Sequence, residues 1–251
     1  MTIVFIGAGN LATSLSLALQ AAGQDILQVY SRTEESARLL AERLGCPWTV
    51  SLEAVVQGAD MYVYALRDTV YPVHALSDCG LHVLTSGSVP YTAIQGASHA
   101  GVFYPFQTFS KAQPITDFSR IPILIEASDA ATLRVLRMVA EGLSRQVYDS
   151  TPESRARLHL AGVLANNFSN CLYMLAEEQL RLAGLPFEIL LPLIDETARK
   201  VHSLPPRQAQ TGPAVRGDLQ VMQKQLELLS GGEQKQIYRL LSEIIARKAD
   251  D

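Results

Sequence analysis

Three cysteines in 251 residues, Cys46, Cys79 and Cys171, stand far apart and form no Cys-x-x-Cys pair. That scarcity argues against a disulfide framework and a zinc knuckle, and for reduced thiols in a cytoplasmic protein. Charge is sparse as well: charged residues make up 18% of the chain, and the net charge is −4. Residues 1–150 carry 9 basic and 13 acidic side chains, and residues 151–251 carry 12 of each. Neither part offers the Lys/Arg cluster with which a protein displaces counterions from nucleic acid or an anionic membrane. No apolar run approaches the ~20 residues of a membrane helix. The opening Met-Thr-Ile-Val-Phe-Ile-Gly has no basic leader, so no signal peptide is expected. His74, His82, His99 and His202 show no spacing that suggests a metal site. What is abundant is apolar. Hydrophobic residues reach 48%, enough for a sizeable core. The length suits one large domain or two small ones of ~100–200 residues each.

Along the first 150 residues, strand-like and helix-like segments alternate. Ile3–Ile6 and Ile26–Tyr30 read as buried strands, with Met61–Ala65 and His82–Thr85 as further strands. Val102–Tyr104, Ile121–Glu126 and Gln146–Tyr148 are shorter candidates. Asn10–Ala22 carries Leu11, Leu15, Ala18, Leu19 and Ala22 at helical spacing and stops at Gly23; Glu34–Leu44 and Ala130–Leu143 are further helices. This rhythm predicts an α/β fold with a doubly wound Rossmann sheet. After Asp149-Ser150-Thr151-Pro152 nothing reads as a strand. Glu153–Ala183 is one long helical pattern; Phe187–His202, Asp218–Leu229 and Glu233–Ala249 follow. The expected division is therefore a nucleotide-binding domain over 1–150 and an all-α domain over 151–251.

Gly7-Ala8-Gly9-Asn10-Leu11-Ala12 fits G-x-G-x-x-G/A, directly after the first strand and opening the first helix. Gly7 permits the tight turn, Gly9 lets backbone amides approach a pyrophosphate, and Ala12 allows close helix–strand packing. The helix N-terminus, at Asn10 and Leu11, offers unpaired N–H groups to the phosphates. An NAD site places Asp or Glu at the end of the second strand, about 20 residues on, to bind the ribose 2′-hydroxyl. This chain has Ser31-Arg32-Thr33 there instead. A guanidinium with flanking hydroxyls suits a 2′-phosphate, so NADP is the expected cofactor.

The nicotinamide end belongs past the carboxyl ends of later strands. Leu66-Arg67-Asp68, Thr85-Ser86-Gly87-Ser88 and Tyr104-Pro105-Phe106-Gln107-Thr108-Phe109 occupy such places. Leu66 and Ser86 are cofactor candidates there, and Gln107 is a substrate candidate. The same residue types build ordinary βα turns, so the sequence leaves both readings open. The long helical pattern holds His159, Asn166, Asn167 and Asn170. At 100° per residue, positions 159, 166 and 170 fall on one stripe, with 167 about 80° away. Histidine titrates near neutrality and can protonate a carbonyl or imine that receives hydride. A core or capping role for His159 competes with that reading. In Thr211-Gly212-Pro213-Ala214-Val215-Arg216-Gly217-Asp218, Asp218 suits an N-cap, and Arg216 suits either an anionic substrate or plain solvent.

Gly-Ala-Gly-Asn-Leu-Ala followed by Ser-Arg-Thr resembles the NADP-binding half of pyrroline-5-carboxylate reductases. It also resembles their relatives, the deazaflavin-dependent NADP reductases and the 6-phosphogluconate and β-hydroxyacid dehydrogenases. The fuller resemblance is to Rossmann-like proteins with a C-terminal domain of unknown function. It is carried by Thr85–Ser88, by Gly101-Val102-Phe103-Tyr104-Pro105-Phe106-Gln107-Thr108-Phe109-Ser110, by His159 with Asn167, and by Thr211-Gly212-Pro213 with Arg216-Gly217-Asp218. The resemblance implies NADP binding, a helical domain like that of 6-phosphogluconate dehydrogenase, and a homodimer formed largely through it; it supplies no substrate. β-Hydroxyacid dehydrogenases use a Lys on the corresponding helix. Here Glu153–Ala183 contains no Lys, and His159 is the comparable group. The Thr-Gly-Pro-Ala-Val-Arg-Gly-Asp string also departs from the Ser/Thr-rich substrate loop of pyrroline-5-carboxylate reductases.

The expectation is an NADP-dependent oxidoreductase acting on a small, polar, anionic carbonyl or imine in an interdomain cleft. His159, Asn167 and Asn170 would be its catalytic residues, with Gln107 and Arg216 contacting substrate. An NADP(H)-binding sensor without turnover is the alternative, because fold does not guarantee chemistry. A structural dimer with an empty nucleotide domain is a third reading, against which the intact glycine loop speaks.

Overall fold

The computed structural model describes residues 1–250, with side chains through Arg247. The chain forms two compact units, Met1–Val163 and Leu164–Asp251.

In the first unit the order is β1 (Thr2–Ile6), α1 (Asn10–Ala21), β2 (Asp25–Tyr30), α2 (Glu34–Leu44), β3 (Trp48–Thr49), β4 (Met61–Tyr64), β5 (Val73–His74) and β6 (Leu81–Leu84). β7 (Ile94–Gln95), β8 (Ala100–Pro105), β9 (Ile123–Ala127), α3 (Ala130–Glu141), β10 (Val147–Asp149) and α4 (Pro152–Gly162) complete it. Eight strands form one sheet in the order β10-β9-β8-β6-β4-β1-β2-β3, and β5 pairs separately with β7. Every pairing is parallel except that of β8 with β9. The chain thus grows outward from β1 in one direction through β2 and β3. It then crosses to β4 and grows the other way, which is the Rossmann arrangement.

The central strands are mostly apolar because both faces are covered. Along β1, Ile3 and Phe5 pack with Leu15, Leu19 and Leu40 on the helical face, while Val4 and Ile6 pack with Tyr62, Tyr64 and Val102 on the other. That alternation is the two-residue period of a strand. Leu15 and Leu19 are each 1% exposed, and burying a leucine fully contributes ~1.5–3 kcal/mol. The second face is closed by loops and the short β5–β7 pair rather than by helices. Periodicity foresaw neither these two-residue strands nor β3, since two residues carry no alternation to read.

The expected division lay near residue 150, but α4 groups with the sheet. Arg155 of α4, wholly buried, forms an ion pair with Glu126 of β9 and donates to the Ser150 hydroxyl (3.3 Å) and the Val89 carbonyl (3.4 Å). The single helix expected over Glu153–Ala183 is broken: α4 runs into a π-helical turn, Val163–Phe168, before α5 (Ser169–Leu182). A π turn holds more residues than an α turn. Asn166 and Asn167 stand inside that π turn, and Asn170 lies beyond it in α5.

The second unit continues with α5, a 3₁₀ turn (Phe187–Leu190), α6 (Leu191–Lys200), the one-turn α7 (Pro206–Ala209), α8 (Leu219–Leu228) and α9 (Gly232–Asp250). Asp218 caps α8, its carboxylate accepting from the Val221 amide at 3.1 Å, as the sequence predicts. Gln234 of α9 donates to Glu178 of α5 (2.7 Å), and Tyr238 of α9 donates to Gln225 of α8 (2.5 Å). Among the described residues of this unit only Ala214 and Ser242 are buried. Among the described residues no helix is long and apolar enough to cross a membrane.

Candidate functional site

The strand order reverses between β1 and β4, and a crevice opens at their carboxyl ends. Gly7 turns the chain there with φ +114°, its N–H donating to the Tyr30 carbonyl of β2 at 2.8 Å. A Cβ at Gly7 would lie 2.4 Å from the Ala65 carbonyl oxygen, so the turn closes only around glycine. Gly9 is the N-cap of α1 and supplies no side-chain acceptor, and the first turn of α1 holds no acidic residue. α3 and α8, by contrast, are capped by Asp129 and Asp218. The opening amides of α1 are thus left for an external anion.

Beside them lies a cavity of about 680 Å³ lined by Gly7, Gly9, Ser31, Arg32, Thr33 and Leu66. Those sequence-predicted cofactor residues are therefore brought together. Arg67 and Lys111 join Arg32 as lining cations, Ser36 adds a hydroxyl, and among the described residues no carboxylate lines the space. Leu52, Val70, Val73 and Leu76 give it an apolar portion. Uncapped amides, three cations without an acid, and an apolar wall fit a phosphorylated dinucleotide.

Lys111 escaped the sequence reading. It belongs to the long loop between β8 and β9, which is strapped along α1. Its amide donates to the Asn10 side chain (3.3 Å), the Ile115 amide donates to the Ser14 hydroxyl (3.1 Å), and Arg43 donates to the Lys111 carbonyl (3.4 Å). Asn10 and Leu11, read as cofactor contacts, do not line the cavity. Asn10 holds this loop, and Leu11 packs at the edge of the core. No local signal could have announced a contact spanning 101 residues.

Ser86 also lies off the cavity lining. It is buried, and its hydroxyl accepts from the amides of Ser88 and Val89, both at 3.0 Å, which shapes the turn after β6. The Ser88 hydroxyl donates to Asp68. Gly87 in that turn faces the Tyr104 ring: a Cβ there would be 2.7 Å from Cζ. The Tyr104 hydroxyl in turn meets Nδ1 of His159 at 3.0 Å. Burial first, and then the Asp68 carboxylate, push the Tyr104 phenol above its ordinary range. Both residues belong to the first unit, and their pairing was not legible from spacing. Gln107 is exposed and turned onto its own loop, accepting from the Thr108 amide at 2.8 Å. Asn167, Asn170 and Arg216 lie in the second unit, all exposed, with Asn167 inside the π turn.

A Rossmann-type sheet with a cationic cavity at its reversal point, followed by a helical unit, is the architecture of a dinucleotide-binding protein. Residues 2–76 match the family described as NADP oxidoreductase, coenzyme F420-dependent. Residues 121–245 match a domain of unknown function, DUF2520. A solved Bacteroides fragilis protein designated an NADP oxidoreductase is 45% identical, covering 98% of each chain with a TM-score of 0.92. The chain belongs to the same family as this protein designated an NADP oxidoreductase. Two more distant structures share the fold. A Thermotoga maritima protein is 20% identical over 99% of this chain and 100% of its own, with a TM-score of 0.78. An imine reductase from Myxococcus stipitatus, solved with NADP+, is 18% identical over 98% and 92%, with a TM-score of 0.57. No curated protein sequence matches the chain.

Proposed function

We propose that the protein is an NADP-dependent oxidoreductase that moves hydride to or from a small, polar, anionic carbonyl or imine. The observation that carries this reading is the cavity at Gly7 and Gly9, bordered by Arg32, Arg67 and Lys111 and, among the described residues, by no carboxylate. The family's designation and the sequence Ser31-Arg32-Thr33 at the end of β2, where an NAD site places an acid, support it.

NADPH, when bound, supplies the hydride. The amides of Gly9 and the first turn of α1 bind its pyrophosphate, and Arg32, Ser31 and Thr33 bind its 2′-phosphate. Lys111 neutralises further phosphate charge, and Leu66 packs against the nucleotide. His159 exchanges a proton with the reacting heteroatom. Asn167 and Asn170 orient the reacting groups, Gln107 contacts substrate, and Arg216 anchors its anionic end. Holding the acceptor by that charge fixes its carbon for transfer.

Arg32→Ala tests the nucleotide preference. Losing charge-assisted bonds to one phosphate should weaken NADPH by roughly 10- to 100-fold and NADH by far less. Calorimetry with both nucleotides checks it, and equal losses would refute the 2′-phosphate assignment. Wild-type protein with NADPH and a panel of keto acids and imines, followed by absorbance, tests turnover. Binding without oxidation across the panel would favour the sensor.

The protein is further proposed to be a cytoplasmic homodimer joined through its helical unit. Phe168, Met174, Leu182, Leu193, Leu219 and Leu228 are each more than half exposed in the single chain. Apolar exposure on that scale is characteristic of an interface. Sedimentation equilibrium should return twice the chain mass; a monomer at micromolar concentration would refute it.

A further inference from the structure

We propose that Tyr104 is a positioning residue for His159: its hydroxyl holds the imidazole by Nδ1 and leaves Nε2 as the nitrogen that exchanges a proton with substrate. The inference rests on the oxidoreductase reading above and adds a residue to it. The Tyr104 hydroxyl and Nδ1 are 3.0 Å apart, with the rings tilted at 51°. His159 is exposed, and its Nε2 has no partner among the described residues.

The chemistry of the partner matters. A carbonyl or carboxylate can only accept, so it would hold the ring's proton at Nδ1. A hydroxyl both donates and accepts. It can donate to Nδ1 of the neutral ring and accept from Nδ1–H of the cation. One contact therefore keeps the ring orientation in both protonation states. In the reductive direction the acceptor carbon would gain the hydride that NADPH supplies when bound, a C–H bond forming there as the donor's C–H bond breaks. The electron pair of the double bond moves to the oxygen or nitrogen, which takes the proton from Nε2 of the imidazolium. The ring is left neutral, with its remaining proton on Nδ1 donated to the Tyr104 oxygen. Water then returns a proton to Nε2.

The surroundings are built to keep this pair in place. The Tyr104 ring lies where a side chain at residue 87 would be, 2.7 Å from an ideal Cβ on Gly87. Its other neighbour is the edge of Phe106, with centroids 6.1 Å apart. Phe106 in turn fills the space beside Gly162, where a Cβ would lie 2.8 Å from the ring. Gly162 is about one turn beyond His159 on α4, and Arg155, about one turn before it, ties the same helix to Glu126. Two side-chain-free positions and one buried ion pair thus flank a single hydrogen bond. The phenol keeps its proton because burial and Asp68 both oppose its ionisation.

Nitrogen-15 NMR of the histidine rings in the full chain, without nucleotide and above the histidine titration range, tests this. His159→Gln assigns the resonances. In the wild type Nδ1 should resonate as a hydrogen-bonded acceptor and Nε2 as the protonated nitrogen. Tyr104→Phe should shift Nδ1 to the position of a free acceptor and spread the proton over both nitrogens. Gly87→Ala keeps the phenol but displaces its ring, and should give the same change. An unchanged spectrum in Tyr104→Phe overturns the proposal. Circular dichroism confirms folding, and if Gly87→Ala does not fold, Tyr104→Phe, which removes one oxygen atom, decides alone. Calorimetry with NADPH on the same samples separates the two readings. Failure of the wild type to bind would sink the nucleotide assignment, whereas Tyr104→Phe should bind NADPH as the wild type does.

Discussion

Gly7→Ala should destabilise the protein by about 2–4 kcal/mol and weaken NADPH by at least ~100-fold, whereas Gly9→Ala should cost binding alone. At Gly7 the backbone has φ +114°, and an added Cβ would sit 2.4 Å from the Ala65 oxygen and 3.0 Å from its carbonyl carbon. Those are main-chain atoms at the end of β4. The Ala65 amide is bonded to the Ile6 carbonyl at 2.9 Å, so the strand cannot retreat without breaking the sheet at its reversal point. At Gly9 the backbone has φ −82°, which any residue adopts, and a Cβ meets nothing within 4 Å. The methyl group there would instead occupy the space through which the amides of α1 meet the pyrophosphate. Urea unfolding and calorimetry on the two variants separate folding from binding. Wild-type stability of Gly7→Ala would show that the turn relaxes. Wild-type NADPH affinity of Gly9→Ala would show that the pyrophosphate lies elsewhere.

Arg155→Met should cost about 3–5 kcal/mol, the loss expected when one partner of a buried ion pair is removed. The Arg155 side chain is 0% exposed and that of Glu126 is 16% exposed. Methionine fills much of the volume but leaves the carboxylate with no counter-charge in a poorly solvated place. Glu126→Gln in the same background should recover most of the loss, because the stranded charge is then gone. The cost has a second readout. Arg155 anchors α4, so the ¹⁵N signals of His159, about one turn away, should move in Arg155→Met and return toward the wild type in the double variant. A double variant no more stable than Arg155→Met would place the loss in packing rather than in the unpaired carboxylate.

The features legible in the sequence were those written locally. Gly7, Gly9 and Ala12 sit where a strand becomes a helix, and the turn chemistry at those positions dictates both the geometry and the exposed amides. Arg32 follows β2 directly, so its place at the mouth of the same crevice follows from the fold class. Asp218 announces its cap by standing before an apolar helical run. Contacts that depend on a distant segment were not legible. The helix N-terminus points to Asn10 as a ligand contact, and the structure has its side chain hold a loop whose Lys111 arrives from 101 positions away. Ser86, a cofactor candidate by its place after a strand, accepts from two amides of its own turn. The stripe of His159, Asn166 and Asn170 rests on α geometry from end to end, whereas a π turn stands at Val163–Phe168, a feature that helical spacing does not announce.

By itself the sequence determined the strand-and-helix alternation, the glycine turn, the cation after the second strand and the change to an all-helical second part. Each is set by neighbours within a few residues, where backbone sterics and hydrophobic period act. Only the tertiary structure decided that Lys111 joins Arg32 at one cavity, that Tyr104 meets His159, and that Arg155 ties α4 to the sheet. Those pairings arise because sheet and helix packing brings together segments remote in the chain, a proximity that no local pattern encodes.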